Sequence, residues 1–339
     1  MVTLSNAFAK SSLMKHQCDI NSTVGNELIS SCWSAEATED ECRVLVNCTN
    51  VPGGNVATLQ CIDWTFDRSV FTETIASRFR LVCDNSYLAD LAATGYFAGF
   101  LLGASLYGLF GDRFGRLPAS LVSMANLTLA TALAALSPVY WLYAVAMVLA
   151  GFGTGGMLSV LYSATIECTD SAHRLVWGFT VNQGWSLGVF TVTLVAYLER
   201  NYQAQLLWLC ATSLPLYLLL LLSGESARWL ISAGRVERAD SVIARVARLN
   251  RTADKLPADF SAEEIYLHEQ RAVASMNTGS EIRTGGNLLN LFRTPGLRRA
   301  TLLSWLHWFA ASMTYFGISL AGDSIGGDVF SKCGSRIGS

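Results

Sequence analysis

The stretch "YGLFGDRFGRLP", residues 107–118, decides how this chain is read. It sets Asp112, Arg113 and Arg116 among Gly108, Gly111 and Gly115, with apolar sequence for tens of residues on either side. Glycine tolerates backbone angles that other residues resist, so the run reads as a place where one helix ends and another begins. The arginines fit a short loop held on the cytoplasmic side of a membrane, and Asp112 is placed to meet a helix N-terminus or a nearby arginine.

Composition points the same way. Of 339 residues, 51% are hydrophobic and 15% charged, against about 25% charged in ordinary soluble domains, and the mean hydropathy is +0.35. The apolar residues come in blocks at 87–110, 117–137, 139–161, 176–198, 204–224 and 300–320. Each is close to the ~20 residues a helix needs to cross ~30 Å of hydrocarbon. The breaks between the first five are short, which forces antiparallel neighbours in a tight bundle. The expectation is an all-α, multi-pass membrane protein. The net charge of −2 and the lack of a basic cluster give no reason to expect a nucleic-acid partner.

Two longer polar regions flank the bundle. Residues 1–86 hold Cys18, Cys32, Cys42, Cys48, Cys61 and Cys83, with the acceptor sequons "NST" at Asn21 and "NCT" at Asn47. This reads as a disulfide-stapled, glycosylated extracellular region whose 15 possible pairings the sequence leaves open. Two further sequons carry less weight, Asn126 within an apolar block and Asn250 in the polar region after it. Residues 1–86 carry six Lys/Arg against ten Asp/Glu, and residues 225–299 twelve against nine. Positive segments stay inside, so residues 225–299 and the "GDRFGR" turn are expected in the cytosol and residues 1–86 outside. An outer region of that size needs something to start its translocation, and residues 1–20 contain no apolar run of that length; a membrane helix upstream is therefore expected.

Several pieces now resemble one family in order. "GLFGDRFGR" is similar to the signature between the second and third helices of the major facilitator superfamily. "GESARWLISAGRVERA", residues 224–239, resembles the Pro-Glu-Ser-Pro-Arg-Trp-Leu segment of its organic cation, organic anion and carnitine transporters. "YSATIE", "NQGWSLG", "NLFRTPGLRRATLLSW" and "YFGISLAGDSIGGDVF" match in sequence order. The resemblance implies a partial major facilitator bundle, about helices two to seven of twelve, with residues 321–339 a divergent tail. It implies transport of a small organic cation, anion or zwitterion by alternating access, with no enzymatic activity and no cofactor. A chain holding most of one half and a single helix of the other is expected not to transport alone. The departures are Gly224 and Ala227 where the family has prolines, Leu117 where a basic residue is usual, and Met147 where many members carry arginine.

The resemblance also assigns candidate residues. Tyr162, Gln183 and Tyr315 fall at positions lining the family's central cavity, with Trp185 and Phe316 as further aromatic candidates. Aromatic faces attract organic cations and a glutamine hydrogen-bonds either sign of charge. Interfacial anchoring of Tyr162 and hydrogen bonding between helices by Asn182 and Gln183 remain open as plainer roles. Asp112, Arg113 and Arg116, with Glu167, Arg174, Glu225 and Arg228 beyond the third and fifth blocks, are candidates for an inner gate. Independent solvated charges at helix ends are the alternative. Glycines 151, 153, 155 and 156 are spaced for close helix packing, and Val236, Ala239, Ile243 and Val246 mark one face of an amphipathic helix.

A sugar porter shares the "GDRFGR" and "ESxRWL" features but has a short outer loop, and a membrane-anchored surface protein would use only the outer region. The four histidines, at 16, 173, 268 and 307, are scattered, and no metal-ligand spacing or nucleophile arrangement stands out. The expected partners are a small organic ion and the lipid bilayer; the oligomeric state is left open.

Overall fold

The computed structural model describes residues 16–18, 34–37, 43–47, 56–60, 63–66, 68–69, 71–170, 173–255, 257, 260–277 and 295–321. Five short strands lead: β1 (His16–Cys18), β2 (Ser34–Ala37), β3 (Arg43–Asn47), β4 (Val56–Gln60) and β5 (Trp64–Phe66). β1 pairs antiparallel with β5, and β2, β3 and β4 form a second antiparallel sheet in that order. The leading region therefore contains sheet among its described residues. Its strands are built from runs such as "RVLVN", where β-branched residues favour extended backbone.

The rest is helical. A short α1 (Ile75–Phe79) precedes the long helices α2 (Tyr87–Phe114), α3 (Arg116–Leu136), α4 (Tyr140–Glu167), α5 (Arg174–Leu198) and α6 (Tyr202–Ser223). These belong to one compact unit, Met1–Ser226. Cys83–Phe114, Arg116–Leu136, Tyr140–Glu167 and Tyr202–Ser223 are long and apolar enough to cross a membrane. The two other apolar blocks form α5, of 25 residues, and α10 (Pro295–Ala321), of 27, each with the length of a span.

Helix α4 is the centre of the bundle, packed between α2 and α3. Glycine makes this possible. A Cβ on Gly99 or Gly103 of α2 would run into the carbonyl oxygens of Val148 and Phe152, and one on Gly151 or Gly155 of α4 into those of Tyr96 and Phe100. The two backbones thus touch through reciprocal four-residue glycine steps, the arrangement that lets helices associate by close packing in a bilayer. On the opposite side of α4, Gly153 faces the backbone of Leu127 on α3, while Gly156 adds a further contact with α2, against the Tyr107 side chain. Met147 is fully buried. Asn126 donates to the Leu149 carbonyl at 3.3 Å, so this sequon asparagine serves helix packing.

Residues 71–86 form a collar over one end of this bundle. Thr72 N–H donates to the Arg200 carbonyl at 3.1 Å and Tyr202 N–H to the Glu73 carbonyl at 3.2 Å, tying the segment to the α5–α6 connection. Thr74 and Ser77 make a reciprocal capping box at the start of α1. Phe71, Leu81 and Val82 are buried, and Phe79 packs on Tyr143 with ring centroids 5.7 Å apart. Cys83 is disulfide-bonded.

A second unit, Ala227–Ser339, contains α7 (Ala227–Ser232), α8 (Val236–Leu249), α9 (Ala262–Asn277) and α10. Trp229, Leu230, Ile231, Ala239 and Ala262 form its core, with Val236, Val242, Ile243 and Tyr266 packed against them. Asp240 accepts from the Ala262 N–H at 2.8 Å and so caps α9.

Candidate functional site

The turn between α2 and α3 sits at the end of the bundle where α4 and α6 also finish. Gly115 carries the chain from one helix to the next with φ of 117°, a conformation that L side chains resist. As the N-cap of α3 it has no side chain to satisfy the first N–H groups of the helix. Glu225 does so instead. Its carboxylate accepts from Arg116 N–H at 2.9 Å and from Leu117 N–H at 3.1 Å. Pro118 has no N–H to satisfy, and Ala119 N–H already reaches the Gly115 carbonyl at 3.4 Å. Gly115 N–H closes α2 on the Gly111 carbonyl at 3.1 Å. Every main-chain donor of the turn is thereby accounted for. A Cβ at Gly115 would collide with the Glu225 carboxylate, so the glycine also makes room for its cap.

Arg116 occupies the middle of the cluster. Its Nη2 donates to Glu167 Oε1 at 2.7 Å and its Nε to the same oxygen at 3.2 Å, while Nη1 donates to Asp112 Oδ1 at 2.6 Å. Ser226 Oγ donates to the other oxygen of Glu167 at 3.0 Å. The side chains of Arg116 and Glu167 are 13% and 18% exposed, that of Asp112 64%. The Arg116–Glu167 pair is thus sheltered from screening, whereas the Asp112 pair belongs to the exposed class worth about 0–1 kcal/mol.

The structure brings together Asp112, Arg116, Glu167 and Glu225 of the candidate gate residues. Arg113 points away, its guanidinium 5.6 Å from the ring centroid of Phe114. Arg174 opens α5, with its side chain outside the described residues, and Arg228 is exposed in the second unit. The residues that sequence reasoning passed over are Gly115, as the space for the cap, and Ser226, the second donor on Glu167. Cys168, just past α4, is a free thiol. Burial, and then the neighbouring Glu167 and Glu225 carboxylates, push its pKa up. Gly224 adopts φ of 80°, which a proline ring forbids, so its departure from the family pattern agrees with the local backbone.

The aromatic and amide candidates lie on α4, α5 and α10. Tyr162 and Trp185 are about half exposed, at 49% and 50%, and Gln183 is exposed. The Tyr162 hydroxyl lies 3.8 Å from the Cβ position of Gly178 on α5, so its ring sits against the start of that helix. Tyr315 and Phe316 fall on α10, their side chains outside the described residues. Asn21, Cys32, Cys42, Cys48 and Cys61 lie outside the described residues, as do the side chains of Cys18 and Asn47.

Comparison with known proteins places this geometry in a family. Residues 60–336 match the family described as sugar (and other) transporter. The chain is 34% identical to solute carrier family 22 member 7 of Bos taurus over 281 residues, which are 82% of this chain and 50% of that protein. It is 29% identical to the organic cation transporter protein of Drosophila melanogaster over 286 residues, again 82% of this chain and 50% of the relative. Against the inward open conformation of the xylose transporter XylE from E. coli the TM-score is 0.48, at 14% identity, covering 62% of this chain and 52% of that one. The chain spans about half the length of the curated relatives it matches. It is a helical, multi-pass membrane protein with a partial major facilitator bundle, and it belongs to the sugar (and other) transporter family, in the branch that includes the organic cation, organic anion and carnitine transporters.

Proposed function

We propose that the protein serves the movement of small organic ions across the membrane by alternating access, and that the Arg116 cluster makes its helical bundle move as one body. The observation that carries this reading is the convergence of three chain segments on one residue, Arg116: its guanidinium meets Asp112 at the end of α2 and Glu167 at the end of α4, and its main-chain N–H meets Glu225 after α6. A rocking half needs its helices joined where it is levered. A sheltered ion pair and a helix cap supply that, because breaking them strands a partly buried charge. Asp112 differs. Its side chain is mostly exposed and sits beside the staple, where a second half of the transporter would close, so it is the candidate latch.

Organic ions are favoured as substrates over sugars by the relatives named for organic cations and by exposed Tyr162 and Trp185. An aromatic face gives an organic cation about 0.5–2 kcal/mol, and Gln183 adds a group that pairs with either sign of charge.

The test is uptake into vesicles by this chain alone and by the chain joined to the second half of the bovine relative. The probes are tetraethylammonium, benzoate and xylose. Uptake of an organic ion by the joined protein, with little by the chain alone and none of xylose, supports the reading; uptake of xylose only, or of nothing by either, overturns it. In the joined protein Asp112→Asn is expected to slow uptake about tenfold, equivalent to about 1.4 kcal/mol of barrier, while leaving thermal stability unchanged.

A further inference from the structure

Helix α8 has two faces, and only one is used by the core of its unit. Ala239 and Ala247 are buried, and Val236 and Ile243 pack with them toward α7 and α9. The other side carries Arg238, Arg245 and Leu249, which at 3.6 residues per turn lie within about 40° of one another. Arg235, Ser241, Val246 and Arg248 flank this line, and all seven residues are exposed. Leu249 is 74% exposed and Val246 48%.

Arginines interleaved with exposed aliphatic side chains on one stripe match the interface of an anionic bilayer. The guanidinium forks pair with lipid phosphates, and Leu249 and Val246 reach the level just below the headgroups. The chain also holds this helix near a membrane, since Val236 follows only 13 residues after Ser223, the end of a candidate span.

We propose that the Arg238–Arg245–Leu249 face of α8 docks on the anionic lipid headgroups of the membrane leaflet beside it. This goes beyond the transport reading and depends only on the chain's being embedded in a bilayer. Docking anchors the second unit through charge, so it weakens in salt and responds to added negative charge. Ser241 lies in the stripe one turn from Arg238 and Arg245, and its hydroxyl donates to the Arg238 carbonyl at 2.7 Å. A negative charge introduced there opposes docking without removing an arginine.

The experiment places a spin label at Leu249→Cys, and separately at Glu237→Cys on the flank away from Leu249, in the full chain with Cys168, Cys210 and Cys333 changed to serine. The chain is reconstituted in nanodiscs of phosphatidylcholine alone or with about 30% phosphatidylserine. The expected result is a severalfold loss of collision between the 249 label and a water-soluble nickel reagent, only in the anionic discs. About 1 M salt, which shortens screening to about 3 Å, and Ser241→Glu both reverse it, and the 237 label stays aqueous throughout. A 249 label that is aqueous in both lipids overturns the proposal. So does equal shielding in both lipids, which assigns the face to protein, either a second copy or another part of this chain.

Discussion

Glu225 and Arg116 stand 109 residues apart in the chain, yet the carboxylate of one accepts the main-chain N–H of the other at 2.9 Å and caps helix α3. The pairing joins the end of α6 to the α2–α3 turn through the backbone, so it does not depend on the arginine side chain. It also places a negative charge at the positive end of the α3 dipole.

Removing the cap is therefore expected to destabilise the bundle. Glu225→Ala leaves two N–H groups of α3 without a partner, at a cost of about 1–2 kcal/mol. Glu225→Gln keeps an acceptor oxygen and costs less. Thermal unfolding of the purified chain in one detergent, comparing the two variants, checks the order.

Gly115 and Glu225 are expected to be coupled. Gly115→Ala both strains a backbone at φ of 117° and pushes the carboxylate out of its place. Once the alanine is present, Glu225→Ala should cost little more, so the double variant is less destabilised than the two single effects added together. Additive effects would mean that the cap tolerates the methyl group.

The glycine crossing of α2 and α4 predicts a ranking. Gly99→Val, Gly103→Val, Gly151→Val and Gly155→Val each drive a side chain into a facing backbone and should abolish a monodisperse, folded preparation. Gly108→Ala meets only the Ser159 hydroxyl, at 3.6 Å, and should stay within about 0.5 kcal/mol of the parent. Size-exclusion profiles and melting temperatures of the set separate these outcomes.

Cys168 gives a pH-dependent prediction. The residue is exposed at the surface, yet partial desolvation and then the Glu167 and Glu225 carboxylates raise its pKa, so at neutral pH it holds less of the reactive thiolate than an unperturbed cysteine. Maleimide labelling is expected to be slow near pH 7 and to climb as pH rises past the usual thiol range. Glu225→Gln removes one of the negative charges, lowers the pKa and should move the labelling profile to lower pH. Rates followed by mass spectrometry, with Cys210→Ser as the background, measure both shifts.

Much of the fold was legible because the bilayer imposes it. Blocks of about 20 apolar residues, short breaks between them and the "GDRFGR" turn declare antiparallel membrane helices from local sequence alone. The α8 periodicity at Val236, Ala239 and Ile243 likewise marked a helix that forms, whereas Val246, expected on the same face, is exposed at its edge. The glycines of α4 were legible as close-packing positions; their partners Gly99 and Gly103 carried the same four-residue spacing in the preceding block and were open to the same reading. The strands before residue 67 and the collar at 71–86 were not, since strand pairing and the contact of Glu73 with Tyr202 join residues distant in sequence.

The charged cluster divides in the same way. Sequence determined that Asp112, Arg116, Glu167 and Glu225 stand at helix ends, because charges are driven out of the apolar blocks. Only the tertiary structure decided that Arg116 is shared between two carboxylates, that Glu225 serves the backbone, and that Gly115 makes room for it. Those roles depend on where α4 and α6 end relative to the α2–α3 turn. For α4 that position is set by its glycine contacts with α2 and α3, and no local pattern records where α6 ends beside them.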